Sequence, residues 1–189
     1  SQSFDSGFFG VQWHSNFEQR IKLSTNGLQA AVVNETGGVQ RFTLKNSVWT
    51  DTSSSEATLV RNTDGSWTYT LYDGTSKSFS SNGKITSINY PSGQALTFTY
   101  VSGVLNSVSD SFGNSIGFTF NTDGTVSGVT DNAGNLYSYT YSNGNLKTVV
   151  YPDDTPTNSA DNPYKEYMYE DTRFTHALTG IVDEERNRF

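Results

Sequence analysis

Residues 118–134 read FTFNTDGTVSGVTDNAG, and the fold can be predicted from the pattern in this segment. It opens with Phe118 and Phe120, which are two positions apart and therefore lie on one face of a β-strand. The dipeptide Asp123-Gly124 follows as a turn signal, because a two-residue hairpin loop needs residues that tolerate positive φ. The first half of the stretch thus predicts a strand that enters a tight hairpin.

The second half of the stretch predicts a return strand and a further turn. Val126 and Val129 are three positions apart, which in a flat strand directs them to opposite faces. Either the return strand is bulged there or both of its faces are covered, and the sequence leaves both interpretations open. Asp131 and Gly134 then close the unit, because Asp hydrogen-bonds its own backbone in turns and Gly tolerates positive φ.

The same pattern recurs along the chain. Its hairpin glycines are Gly83, Gly103, Gly124 and Gly144, spaced 20 or 21 residues apart. Such a period predicts a meander of antiparallel hairpins in which each unit packs mainly on its neighbours. The repeat-defining residues are Phe98, Tyr100, Gly103, Leu105, Val108, Asp110, Gly113, Phe118, Phe120, Gly124, Val126, Val129, Asp131, Gly134, Tyr139, Tyr141, Gly144, Leu146 and Val149.

The pattern divides the chain into two parts. Residues 1–66 hold short strand candidates without the repeat and are interpreted as an irregular β segment that enters the array. Residues 67–189 predict about five hairpin repeats. The last repeat is degenerate, with Tyr167 and Tyr169 as its aromatic pair and an insertion at 155–166. The predicted fold class is all-β, an antiparallel β-hairpin repeat array that forms a curved or wound sheet.

Composition excludes several classes of protein. The chain has 189 residues, a net charge of −7, 33% hydrophobic residues and no Cys. The acidic balance argues against nucleic-acid binding, which needs clustered Lys and Arg. No run of about 18 apolar residues is present, so we expect no membrane insertion. Without Cys there are no disulfides, thiolate metal sites or Cys nucleophiles. The start at Ser1, without a signal-like segment, suggests a fragment of a longer protein.

The titratable residues form no catalytic pattern. Neither His14 nor His176 stands near a nucleophile motif, so both are interpreted as structural or surface histidines. A calcium loop over residues 153–162 has oxygen ligands but lacks the required spacing. Glycosidases need two carboxyl groups across a cleft, whereas adjacent acids in turns face solvent. The pairs interpreted in this way are Asp153-Asp154, Glu170-Asp171 and Glu184-Glu185. We therefore expect no enzyme activity, no cofactor and no metal.

Aromatic residues suggest a binding role as an alternative. Exposed Trp and Tyr rings beside Asn and Asp can hold sugars by stacking and hydrogen bonding. The candidate glycan-binding residues are Trp13, Trp49, Trp67 and Tyr72. The periodic aromatics are instead expected to pack on the sheet face, given their i, i+2 spacing. For Trp49 and Trp67, which lie outside the regular units, packing and sugar stacking both stay open.

The repeated elements aromatic-x-aromatic, Gly-x-Leu-x-x-Val and Asp-x-x-Gly resemble the YD repeat of Rhs proteins. The resemblance is close at residues 167–171, 178–183 and 187–189, which read YMYED, LTGIVD and NRF. Residues 10–15 and 64–79 are similar to the region that opens the Rhs array. The departures from the family pattern are Arg186 at a turn glycine position, Tyr90 and Tyr151 in place of the turn Asp, and the insertion at 155–166.

This resemblance implies a structural role. In the Rhs family the sheet winds into a hollow shell that encloses a C-terminal toxin or effector for delivery to another cell. It implies an exported protein, secreted or at the cell surface, whose partners are the rest of its array and a C-terminal toxin domain. The alternative is a cell-surface adhesion or carbohydrate-binding module, as in teneurins, with glycans as partners. A segment isolated from the array is expected to self-associate through an unpaired sheet edge.

Overall fold

The structure is a computed structural model that describes residues 6–53, 55–153, 155, 158 and 161–189. All regular secondary structure in this part of the chain is β-strand. No helix among the described residues has the length and apolar character needed to cross a membrane. The predicted all-β fold class, an antiparallel hairpin array, is therefore confirmed.

Residues His14–Ser115 form one compact unit. Each of its strands pairs antiparallel with the next strand along the chain. The strands are β3 (Arg20–Leu23), β4 (Gln29–Val33), β5 (Val39–Lys45), β6 (Val48–Asp51), β7 (Thr58–Arg61), β8 (Trp67–Thr70), β9 (Ser76–Phe79), β10 (Ile85–Asn89), β11 (Ala95–Val101) and β12 (Val104–Asp110).

The residues up to Trp13 and Ile116–Phe189 form a second compact unit. Its strands are β1 (Ser6–Gly7), β2 (Gly10–Val11), β13 (Ser115–Phe120), β14 (Val126–Thr130), β15 (Leu136–Ser142), β16 (Asn145–Val150), β17 (Tyr164–Met168) and β18 (Gly180–Val182). The first two strands form a separate small hairpin. The strands from β13 to β18 pair antiparallel in chain order within this unit.

Two kinds of hairpin loop alternate in the repeat. Asn143 and Gly144 have φ of 52° and 79° and form the predicted two-residue loop between paired strand ends. The same prediction for Asp123-Gly124 is wrong. There the loop has three residues, because the Asn121 N–H bonds the Thr125 carbonyl, and Gly124 alone in the loop has positive φ, 86°. Three-residue loops combine a type I turn with one left-handed residue, which is the role that Gly124 takes.

A β-bulge recurs at one position of four hairpins. Thr119 pairs with Gly128 but the next residue, Phe120, pairs with Val126, so Ser127 is the extra residue of its strand. The equivalent extra residues are Thr86, Asn106 and Lys147. The sequence left two interpretations open, a bulged return strand or a strand covered on both faces. The structure contains the bulge.

The bulge places two aliphatic residues opposite two aromatic residues. Phe98 pairs with Val108 and Tyr100 pairs with Leu105, although the aliphatic residues are three positions apart. Leu105 and Val108 are both buried, as is Phe98. Cross-strand pairs of aromatic and branched side chains stabilise a sheet, so each hairpin carries a small core of its own. Val129 is the exception among the second aliphatic positions, because it is only half-buried.

Each unit also closes on one of its own hairpin loops. In the unit of residues 14–115, the Ile21 N–H donates to the Gly83 carbonyl at 2.8 Å. In the other unit, the Val11 N–H donates to the Gly144 carbonyl at 2.9 Å, and Phe8 accepts from the Val126 N–H at 2.7 Å. The loops of the repeat thus serve as docking points for segments distant in sequence.

The Asp-x-x-Gly turns use the carboxylate as predicted. Asp131 accepts hydrogen bonds from the side-chain amide of Asn135 and from the backbone N–H groups of Asn135 and Ala133, each at 2.9 Å. The Asn135 side chain, followed by its backbone N–H, holds the pKa of Asp131 below its usual value. The ionised form of the Asp131 carboxyl group therefore stabilises this turn better than the protonated form does.

We expect the protein to lose stability in acid, from about pH 4 downward. A carboxyl group with a lowered folded-state pKa adds stability above its unfolded pKa, and this contribution is lost as the pH falls through the folded value. The carboxyl groups with a lowered pKa are Glu35, Asp51, Asp64, Asp110, Asp123, Asp131, Glu166 and Asp171.

The urea midpoint, measured from about pH 7 to pH 2, tests this expectation. Asp131→Asn keeps an acceptor oxygen but cannot titrate, so its midpoint should fall less than that of the wild type over the same range. A wild-type midpoint that stays constant or rises in acid contradicts the prediction.

Candidate functional site

Trp49 and Trp67 are the candidate sugar-stacking residues that the structure brings together. Their ring centroids lie 5.2 Å apart, and the two side chains are 9% and 2% exposed. The Arg61 guanidinium lies 5.2 Å from the centre of the Trp67 ring. Rings covered in this way are packed rather than open to a sugar, and packing was one of the two interpretations that the sequence left open for them.

Trp13 and Tyr72 lie in different surroundings. The Trp13 ring is half-buried, with its indole N–H donating to the Tyr169 hydroxyl at 3.0 Å and its ring edge-on to Tyr167. Tyr72 is 82% exposed in the loop before β9. Of the four residues, Tyr72 is thus the one with a largely open ring.

The histidines and acids considered for chemistry are mostly paired locally. His176 Nδ1 lies 2.7 Å from the Asn145 side-chain oxygen, whereas His14 is exposed. Salt bridges join Glu184 to Lys165, Asp171 to Arg173 and Glu170 to Arg188. Asp154 and parts of the 153–162 and 155–166 segments lie outside the described residues. Within the described ranges, no three His, Asp or Glu side chains are grouped to hold a metal ion.

The structure adds a site that the sequence interpretation missed, around Lys77 in β9. Lys77 is 6% exposed, and its Nζ donates to Gln19 Oε1 at 2.6 Å and to Glu35 Oε2 at 3.0 Å. Gln19 is buried as well, and its amide donates to the Asn16 carbonyl at 3.0 Å. A buried ammonium is costly unless paired, so these partners are what make its burial tolerable.

The carboxylate of this cluster is held in its charged form. Burial by itself raises the pKa of Glu35, but hydrogen bonds from its own backbone N–H and from Lys77 bring the pKa below its usual value. Glu35 thus presents a carboxylate to Lys77, and Lys77 is the more buried partner of this ion pair.

The cluster continues through the neighbouring strand. Tyr69 pairs with Lys77 across β8 and β9, and its hydroxyl donates to Gln40 Oε1. The Gln40 amide then donates to Asp51 Oδ2 at 2.9 Å. Burial, followed by the charges of Asp51 and Glu35, raises the pKa of Tyr69, so its hydroxyl stays protonated and remains a donor.

A cavity of about 350 Å³ adjoins this cluster. Its wall combines polar side chains, among them Lys77, Glu35 and Thr75, with apolar ones such as Ile88 and Phe98. All of these residues belong to the unit His14–Ser115. The cavity lies within the range of volumes typical of small-molecule sites, about 300–1,000 Å³.

A signal for this site was present in the repeat itself. Phe98 faces Val108 across its hairpin, and Lys77 faces Ile88 at the equivalent position of the preceding hairpin. The first complete unit has Phe79 as its second aromatic residue but has Lys77 where the first one belongs. A charged residue at a position that holds an aromatic ring in the other units marks the site.

No protein-family model matches the chain, and a search of curated proteins finds no match.

Proposed function

We propose that the chain is a non-catalytic structural module of an Rhs/YD-repeat protein, exported from the cell. In this role it supplies part of a β shell that encapsulates or presents a C-terminal toxin or effector. The observation that supports the proposal is the bulge repeated at one position of four hairpins. A hairpin with its own small core can be added repeatedly to a wall without enlarging a central core.

The last strand of the sheet supports an array that continues by further strands. Ile181 in β18 exchanges two backbone hydrogen bonds with Phe189, at 3.1 and 2.9 Å. The intervening turn from Asp183 to Asn187 has Arg186 at the position of the turn glycine, and its φ is +69°. The turn geometry of the repeat is therefore kept at this position in spite of the substitution.

The full-length protein tests the proposed function. We expect the coding sequence beyond Phe189 to contain further units of the same spacing and then a domain of different composition. In the full-length protein that domain should resist trypsin, whereas the same domain expressed alone should be digested. A coding sequence without further repeats or a terminal domain, or equal digestion of both samples, overturns the proposal.

The edge of residues 187–189 that faces away from β18 leads us to expect that the isolated chain self-associates. Phe189 forms backbone hydrogen bonds with Ile181 in β18, and Asn187 accepts one from Asp183 in the turn. In an antiparallel strand pair the residue between two such positions points its N–H away from the partner strand, so the Arg188 N–H faces outward. We expect concentration-dependent association in sedimentation equilibrium, because an open strand edge recruits other strands.

Two substitutions at this position separate the backbone from the side chain. Arg188→Pro removes the outward donor and should weaken association, whereas Arg188→Ala keeps the donor and should retain it. Both variants lose the ion pair between Arg188 and Glu170. The hydrogen-bonding group in which the two variants differ is therefore the backbone N–H of residue 188. A strictly monomeric wild type, or equal weakening by both variants, contradicts the prediction.

The alternative function, a surface adhesion or carbohydrate-binding module, was based on exposed aromatic rings. Two of its four residues, Trp49 and Trp67, are buried against each other. The geometry of these four residues therefore favours the structural module over a glycan site built from them.

A further inference from the structure

The cavity beside Lys77 occupies the place of a missing aromatic ring. In the repeat, the position of Lys77 holds Phe98 in the next unit, where this buried residue lies opposite the second aliphatic residue of its hairpin. With Lys77 at this position, Ile88 and Phe98 form part of the cavity wall, and the Lys77 ammonium is drawn toward Gln19 and Glu35. The cavity thus has an apolar wall with a charged pair beside it.

Hydroxyl groups in the wall are left available. Thr75 is 6% exposed, and its N–H donates to Asp73 Oδ1 at 2.8 Å. In the equivalent turn of another unit, Thr125 donates to Asp123 with both its N–H and its hydroxyl, at 2.9 and 2.6 Å. The Thr75 hydroxyl has no such partner among the described residues, and Thr75 is part of the cavity wall.

Other polar groups of the wall also have unused capacity. An ammonium carries three N–H donors, and Lys77 uses two of them within the described part of the chain. Tyr90 lines the cavity, is 39% exposed, and its hydroxyl has no partner among the residues described. The wall therefore presents both donors and acceptors to a molecule inside it.

The charges of the wall select the class of ligand. Glu35 and Asp73 carry two carboxyl groups against the single ammonium of Lys77, which disfavours an anion. The buried ammonium in turn disfavours a cation. A neutral molecule whose hydroxyls both donate and accept, and whose C–H groups pack on Ile88 and Phe98, satisfies the wall without burying another charge.

We propose that this cavity binds a neutral polyol about the size of one monosaccharide. The proposal goes beyond the structural role and does not rest on it, so its failure leaves the shell proposal standing. It also places sugar recognition away from Trp13, Trp49, Trp67 and Tyr72.

Ligand-observed NMR on the full chain tests the ligand class. The probes are methyl α-glucopyranoside, methyl β-galactopyranoside and myo-inositol as neutral polyols, with glucose 6-phosphate and glucosamine as charged counterparts. We expect at least one neutral probe to bind with a dissociation constant on the order of 1 mM, as the interaction energy per atom of small ligands allows. A pyranoside preference indicates a sugar residue, and a myo-inositol preference indicates a free cyclic polyol, and both support the proposal.

Substitutions in the wall locate the binding. Thr75→Val is nearly isosteric and removes the free hydroxyl, so binding should weaken about 5-fold, the effect of one hydrogen bond. Tyr90→Phe removes an exposed hydroxyl without disturbing the core and should weaken binding similarly. Thr125→Val alters the equivalent turn outside the cavity and should leave the dissociation constant unchanged. Lys77→Phe restores the ring of the repeat and should abolish binding by filling the cavity.

Three results overturn the proposal. The first is the absence of binding by every neutral probe at about 50 mM, far above the expected constant. The second is tighter binding of a charged probe than of its neutral counterpart. The third is a dissociation constant that is the same for Thr75→Val, for Tyr90→Phe and for the control Thr125→Val.

Discussion

Gly83→Ala is expected to destabilise the protein by more than about 3 kcal/mol, because strain and steric overlap add at this position. Gly83 has φ of +83°, a left-handed conformation that costs an L-residue about 1–2 kcal/mol. A Cβ atom there would lie 2.0 Å from the Ile21 carbonyl oxygen, so β3 would have to move away from the loop. That movement also breaks the hydrogen bond from the Ile21 N–H to the Gly83 carbonyl.

Gly124→Ala is the matched control. Gly124 occupies the same position of a three-residue loop with φ of +86°, but nothing lies within 4 Å of the added Cβ. Its cost should therefore be the backbone strain alone, about 1–2 kcal/mol. Urea unfolding followed by circular dichroism gives both free energies, and amide exchange at Ile21 should accelerate in Gly83→Ala only. Equal free energies of unfolding for the two variants would show that β3 does not depend on this contact.

Trp67→Ala is expected to lower the free energy of unfolding by about 3–5 kcal/mol, the cost of removing a large buried ring and leaving a cavity. Trp67 is 2% exposed and packs against Trp49 at a centroid distance of 5.2 Å. If Trp67→Ala fails to fold, Trp67→Phe retains part of the packing and should show a smaller loss in the same direction.

Tyr72→Ala is the control for this prediction, because its ring is 82% exposed. Its effect should stay within about 0.5 kcal/mol, as for surface substitutions in general. A double-mutant cycle between Trp49 and Trp67 should give a coupling of about 0.5–1.5 kcal/mol for the ring pair. A Trp67→Ala variant as stable as Tyr72→Ala would contradict the packing role of Trp67.

Local features of the fold could be predicted because they depend on neighbouring residues. Asn143-Gly144 forms the predicted loop, since the two residues themselves supply the positive φ values. The loop at Asp123-Gly124 was predicted one residue too short. Its length depends on which residues pair across the hairpin, Phe120 with Val126, and a dipeptide does not report that register.

The candidate site could not be predicted in the same way. Lys77 and Gln19 are 58 residues apart, and Glu35 reaches the same ammonium from a third segment. A lysine in a strand ordinarily faces solvent, so its burial depends on partners that only the folded chain brings within reach. The missing ring of the repeat pointed to the position but not to the cavity.

The all-β hairpin array could be predicted from the sequence alone, because the 20- to 21-residue period, the turn residues and the paired aromatics are all local signals. Three other features depend on the folded chain: the pairing of Val126 and Val129 with Phe120 and Phe118, the docking of Ile21 on the loop of Gly83, and the surroundings of Lys77. The two groups of features differ in the range of the interactions that produce them. Turn conformations follow from a few adjacent residues, whereas strand register and buried charge pairs are set by packing between segments far apart in the chain.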